Sequence, residues 1–107
     1  MARAASAIDA FHAIADGNRR ALLDAMTGGK LAVGDLVTEV GLSYSAVSQH
    51  LAILHDAGLV HRREQGRQRI YSLNASPIRE VHTWTSSYER FWRGKLARLH
   101  RVLDEEK

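Results

Sequence analysis

Two apolar stripes separated by Gly41-Leu42-Ser43 constrain this chain more than any other feature. Val33, Leu36, Val37 and Val40 recur at steps of three and four, and so do Val47, Leu51 and Leu54. Each run therefore predicts a short helix with one buried face. Gly41 stands where a helix end needs a left-handed residue, and Ser43 where the next helix needs an oxygen for its orphan amides. Gly58 closes the second helix, with Leu59 placed for the hydrophobic contact beyond it. Two helices joined by a three-residue turn containing glycine make a helix-turn-helix pattern.

The second of these helices carries another stripe. Ser45, Ser48, Gln49 and Ala52 fall at i, i+3, i+4 and i+7, so they share a face that is polar at first and nowhere bulky. A helix face that only meets water is usually furnished with Lys and Glu, which have high helix propensity and aid solubility. This stripe has neither. Short side chains let a helix backbone approach a partner closely, and Ser and Gln can address base edges or phosphate oxygens in a major groove. Helical hairpins in ordinary cores share the spacing, so the pattern alone leaves both readings open.

The segment after Gly58 narrows the choice. "VHRRE" and "RQRIYSL" flank Gln65-Gly66, which predicts a β-hairpin with Gly supplying a positive φ, and Val60, Ile70, Tyr71 and Leu73 supply its apolar contacts. Residues 59–69 hold Arg62, Arg63, Arg67 and Arg69 against Glu64, a local +3 equal to the net charge of the whole chain. Arginine offers a planar donor fork suited to phosphate and guanine edges. A basic hairpin directly after such a helix fits a wing, which lies along the DNA backbone or dips into the neighbouring minor groove.

The remaining segments frame this unit. Ala4–Ala15 and Asn18–Met26 read as amphipathic helices, the second capped by Asn18 and stopped by Gly28-Gly29. Ser76-Pro77 reads as the start of a final helix, a cap followed by a proline whose missing N–H costs nothing there. From it Ile78, Val81, Thr85, Tyr88, Trp92, Leu96, Leu99 and Leu103 continue one stripe, widened by Trp84 and Phe91. Such a helix would span roughly 40 Å, too long to bury its stripe on its own domain. The expected cover is a second copy, with Ile8, Phe11, Val81, Trp84, Tyr88, Phe91, Trp92 and Leu99 at the interface. At 107 residues the chain is one domain. The fold class expected is mainly α with a small β-hairpin: helix-turn-helix about 33–57, wing about 59–73, dimerisation helices about 4–15 and 77–104.

In this order, "FHAIADGNRRALLDAM", "KLAVGDLVTEVGLSYSAVSQHLAILHDAGLVHRREQGRQRIYSL" and the terminal helix resemble the ArsR (arsenic-repressor) family of dimeric winged-helix transcription regulators. The resemblance implies operator binding as a homodimer, with double-stranded DNA as partner and repression as the function. Ser45, Ser48, Gln49 and His50 match the family's recognition-helix positions, and Arg62, Arg63, Arg67 and Arg69 its wing. Ser43 and Tyr44 match helix-start positions beside phosphate. Arg19 and Arg20 match a common pair, open between phosphate contacts and structural salt bridges.

The departures concern sensing. Family members that bind metalloids resemble "ELCVCDL" where this chain has "KLAVGDL", with Ala32 and Gly34 in place of the thiolates. Glu80 and His82 resemble half of the family's other metal site, but the positions near Arg93 and Leu96 supply no second half. No metal and no cofactor is expected. An effector stays open between a small apolar ligand, a partner protein and none, as does the role of the last helix's aromatic residues, pocket lining or dimer core.

Other classes fall away. The chain contains no Gly-x-Ser-x-Gly, His-Glu-x-x-His or dinucleotide fingerprint, and Ser48 and His50 point apart on one helix, so no enzyme is expected. Absent cysteine excludes disulfides and thiol switches. No run approaches the ~20 apolar residues of a membrane span, and Asp9 and His12 interrupt what would be a leader's apolar stretch, so a cytoplasmic location is expected. A protein-binding winged-helix module without a DNA role is the alternative reading; it would not need four wing arginines.

Overall fold

The structure, a computed structural model, describes residues 9–105. Residues 4–8 of the first expected helix, Ile8 among them, lie outside the described residues. Asp9 accepts the His12 amide at 3.0 Å and caps α1 (Ala10–Ala13). Helix α2 (Gly17–Ala25) is capped not by Asn18 but by Asp16, whose carboxylate accepts the amides of Asn18 and Arg19 at 2.8 and 3.1 Å. Asp16 has extended backbone, and its negative charge suits a helix N-terminus better than a neutral amide does. Asn18 lies two positions further along, already inside the helix.

A 3₁₀ turn (Met26–Gly28) leads to β1 (Leu31–Ala32), a two-residue strand that the sequence pattern does not disclose. Helix α3 (Val33–Val40) ends at Gly41, whose φ of +71° turns the chain toward Ser43. Ser43 Oγ accepts the Ala46 amide at 3.1 Å and starts α4 (Tyr44–Asp56). At the far end, Gly58 has φ +78°, its amide bonds the His55 carbonyl, and the Leu59 amide reaches back to Leu54 at 2.9 Å. Leu59 is thereby driven into the core, the contact expected beyond a left-handed glycine.

Strands β2 (Val60–Gln65) and β3 (Gln68–Leu73) form the hairpin, and β1 pairs with β3 at Leu31 and Ala32, opposite Tyr71 and Ile70, giving a three-stranded antiparallel sheet in the order β1-β3-β2. The turn residues are Gly66 and Arg67, one position later than Gln65-Gly66. Gly66 alone has positive φ, +64°, the pattern of a type II′ turn with glycine at its first central position.

The final helix is two helices. α5 (Ile78–Ser86) and α6 (Glu89–Glu105) are parted at Ser87-Tyr88. Thr85, Ser86 and Ser87 donate their hydroxyls to the carbonyls of His82, Thr83 and Trp84, at 3.1, 2.9 and 2.8 Å. The amides of Ser87 and Tyr88 close tighter i→i−3 bonds over the same stretch. Hydroxyl competition for carbonyls bends and breaks a helix ladder. Apolar periodicity continues through the break, which is why spacing alone predicts one rod. Ser76 does not cap α5; its own amide donates to Asn74 Oδ1, and Asn74 Nδ2 bonds the Gly58 carbonyl at 2.8 Å, tying the end of the sheet to the end of α4.

The core is built from Leu22, Met26, Leu36, Val47, Leu51, Leu54 and Leu59, with Tyr71 added from the sheet. Burying each such side chain is worth about 2 kcal/mol before entropy. Ile78 and Val81 pack at its edge, and beyond them the chain leaves the core. The radius of gyration is 17.5 Å, against roughly 13 Å for a compact chain of this length. Among the described residues no helix is long and apolar enough to cross a membrane.

Candidate nucleic-acid interface

Because Val47, Leu51 and Leu54 are fully buried, α4 can turn only one way, and Ser45, Ser48, Gln49 and Ala52 all face out. Ser43 is exposed at the helix start, and Tyr44 beside it is 63% exposed. His50 is placed differently. It is half-buried, with Nδ1 3.4 Å from Arg19 Nη1. A guanidinium can only donate, so in this contact the ring nitrogen is the acceptor.

Arg19 itself is buried. Its Nε donates to the Ala13 carbonyl at 2.6 Å and Nη2 to that of His12 at 3.3 Å, while Arg20 Nη1 donates to Ile14 at 2.7 Å. These two arginines therefore satisfy the C-terminal carbonyls of α1. The hydrogen-bond partners shown for them are backbone carbonyls, with the His50 ring a further one for Arg19.

On the wing the pairing register decides which side chains meet. Glu64 lies opposite Arg69 and Arg62 opposite Tyr71, and directly opposed residues share a face. Arg63 opposes Ile70 and points to the other face. All four arginines are exposed. Arg69 Nε donates to Glu64 Oε1 at 3.1 Å, and this hydrogen bond, with the carboxylate's charge and the Tyr71 hydroxyl beside it, raises Arg69 further above its already high range. Its charge is permanent.

Between α4 and the wing runs a groove of about 440 Å³. Tyr44 and Ser48 line it from the helix, Arg67 and Arg69 from the wing, and Gly34 from the start of α3. Of the residues expected to touch DNA, these four share one concavity; Ser43, Ser45, Gln49, His50, Arg62 and Arg63 do not line it. Glu64 and Gln68 also line the groove, and composition does not single them out. Glu64 reaches it on the face it shares with Arg69, and Gln68 from the end of β3 next to the Gly66-Arg67 turn.

A separate apolar surface follows α5 and α6. Trp84, Tyr88, Phe91, Trp92, Leu96, Leu99, Val102 and Leu103 are between 44% and 60% exposed. Phe11 meets Trp84 edge-on with ring centroids 5.8 Å apart, and Trp84 meets Tyr88 at 5.3 Å. Val81 is instead part of the core edge. So α1 and α5 present one aromatic patch continuous with the stripe of α6. A patch of this extent is unusual on a lone soluble subunit.

Among the described residues no three His, Asp, Glu or Cys side chains gather as a metal site would require. Glu80 and His82 lie exposed on α5.

Residues 16–62 match the model of a bacterial regulatory protein family, the arsR family. The chain is 38% identical over 97 residues to the HTH-type transcriptional regulator Rv2034 of Mycobacterium tuberculosis, covering 91% of this chain and 88% of that one. It is 32% identical over 78 residues to the transcriptional repressor SdpR of Bacillus subtilis, covering 73% and 87%. A solved structure described as a possible transcriptional regulator for arsenical resistance superposes with a TM-score of 0.66 at 37% identity, covering 86% of this chain and 91% of the other.

Proposed function

The chain belongs to the ArsR family and is a helix-turn-helix transcriptional regulator, a non-enzymatic class, and from that premise we propose that it represses transcription by binding a pseudo-palindromic operator in double-stranded DNA as a homodimer. One observation carries the reading. Ser48 of the small uncharged stripe of α4, with Tyr44 at the start of that helix, shares one groove with Arg67 and Arg69 of the wing. A major groove about 12 Å wide admits a helix with short side chains on its leading face, and the adjacent wing then meets phosphate.

In this proposal Ser45, Ser48 and Gln49 read base edges. Ser43 and Tyr44, at the positive end of α4, hold the phosphate beside the groove. Arg62, Arg63, Arg67 and Arg69 meet the phosphate backbone of the duplex. His50 contributes from the half-buried side of α4, oriented by the Arg19 contact behind it. Two copies pair through Phe11 and the patch formed by Trp84, Tyr88, Phe91, Trp92 and Leu99, with Val81 at its inner edge. Twofold symmetry sets the half-sites about 10 bp, or a multiple, apart.

Footprinting on DNA upstream of the protein's own gene, with a solution mass measurement, tests this directly. The expected result is protection with dyad symmetry by a species of twice the chain mass. A monomer showing no preference among duplexes at low ionic strength would end the proposal, and a dimer of that behaviour would favour a protein-binding module instead.

A further inference from the structure

Glu64 is the one carboxylate between Val60 and Leu73, a segment that also holds His61 and four arginines. A surface shaped for a polyanion has an electrostatic reason to exclude such a group. Yet Glu64 sits in the groove itself, opposite Arg69 in the ladder and hydrogen-bonded to its Nε at 3.1 Å. Both side chains are more than half exposed, at 70% for Glu64 and 56% for Arg69, so the pair does little to hold the fold together. Folding alone does not account for its position.

The register adds a second observation. Arg62, Glu64, Arg69 and Tyr71 share one face of the hairpin, and Tyr71 is buried in the core, so this is the face turned toward the helices. Arg63 is on the opposite face, and Arg67 is in the turn. Arg69 is thus the wing cation directly opposite Glu64 in the ladder, and the only one joined to it in an ion pair among the described residues.

We propose that Glu64 is a specificity-determining residue that holds Arg69 away from phosphate on unmatched DNA and releases it only when α4 is seated on the correct sequence. This rests on the proposed DNA reading. On random duplex the wing approaches loosely, Arg69 stays paired, and the carboxylate repels the backbone. On the operator, base contacts from α4 draw the wing close enough for phosphate oxygens to replace the carboxylate at the Arg69 guanidinium, and Glu64 turns out to water. The pair therefore lowers affinity for both kinds of duplex, but for random sequence more. Specificity is a difference of affinities, and a repulsive element raises it where added attraction would not.

The test uses the full chain, a random-sequence duplex and an equally long duplex taken from the footprint, with affinities measured between about 50 and 200 mM salt. Glu64→Gln is expected to bind random duplex about three- to tenfold more tightly, to steepen its salt dependence by about one unit, and to narrow the operator-to-random ratio. In Glu64→Gln/Arg69→Ala most of that gain should vanish, because it passes through Arg69. A Glu64→Gln protein that binds random duplex no better, or weakens on both duplexes alike, overturns the assignment. Arg67→Ala separates the two levels. If it weakens both duplexes while Glu64→Gln changes neither, only the role of Glu64 falls; if it weakens neither, the DNA reading falls and the role of Glu64 with it.

Discussion

Arg19 Nη1, on α2, lies 3.4 Å from His50 Nδ1, on α4, while Nε of the same guanidinium donates to the carbonyl of Ala13, the last residue of α1. One buried side chain therefore joins the helix of the aromatic patch to the helix proposed to read DNA. Arg19→Ala would leave the Ala13 carbonyl without its partner, a loss of about 1–3 kcal/mol, seen as a lower melting temperature. Arg19→Lys should recover only part of this, because an ammonium on a flexible stem does not reproduce the fork. An Arg19→Ala protein with wild-type melting temperature and weaker DNA binding would make Arg19 a phosphate contact instead.

Asp16 gives the start of α2 a dependence on pH. The Arg19 amide first, then the Asn18 amide and the nearby His50 and Arg19 side chains, hold its carboxyl below the usual carboxylate range and together outweigh the desolvation that pushes it up. A value lower in the folded than in the unfolded chain stabilises fully above the ordinary carboxylate pKa and is lost as pH falls through the folded value. Asp16→Asn keeps an acceptor but not the charge. Its melting temperature should lie below wild type near neutrality, and the two should converge once pH is well below about 3.9. A gap of constant size down into acid would show that the charge of Asp16 contributes nothing.

These two residues also mark where sequence stops being sufficient. The α3–turn–α4 unit is legible because Gly41, Ser43 and Gly58 act on amides within their own turn, and the structure places each as its chemistry requires. Asp16 and Asn18 are both competent caps, and only the extended backbone at Asp16 decides between them. Strand β1 has two residues and exists because β3 pairs with it from nearly forty positions away, which no local period reveals. The α5–α6 break hides under uninterrupted apolar spacing, since three successive hydroxyls divert the ladder without disturbing the stripe. In the groove, recognition-helix and wing residues are readable by type, but the Glu64–Arg69 pair depends on which two residues form the turn. Arg19 is a surface cation by residue type alone; its six-residue reach back to Ala13 is a tertiary fact.

Base readout and backbone attraction are expected to separate by mutation. Gln49 is exposed on α4 outside the groove, where a bidentate contact to adenine would be worth about 1–3 kcal/mol against the wrong base. Gln49→Ala should lose operator affinity by that amount with random-duplex affinity nearly unchanged. Arg67→Ala, at the wing turn, should weaken both and flatten the salt dependence by roughly one unit per lost phosphate contact. Equal losses on both duplexes from Gln49→Ala would remove it from base readout.

The aromatic patch makes the last prediction. Trp92 and Leu99 are half-exposed on α6, outside the core cluster, so charging them costs this subunit little. In a dimer packed through that stripe, each new carboxylate would be buried against apolar side chains without a partner, at a cost of several kcal/mol. Trp92→Glu/Leu99→Glu should therefore run at the mass of one chain in light scattering and keep its helical circular dichroism. It should lose most operator affinity, because each half-site must then be bound alone, while its weak binding to random duplex survives through the intact wing. A double variant that remains dimeric would move the interface off α6, leaving Phe11 and Trp84, in edge contact at 5.8 Å, as the patch to charge next.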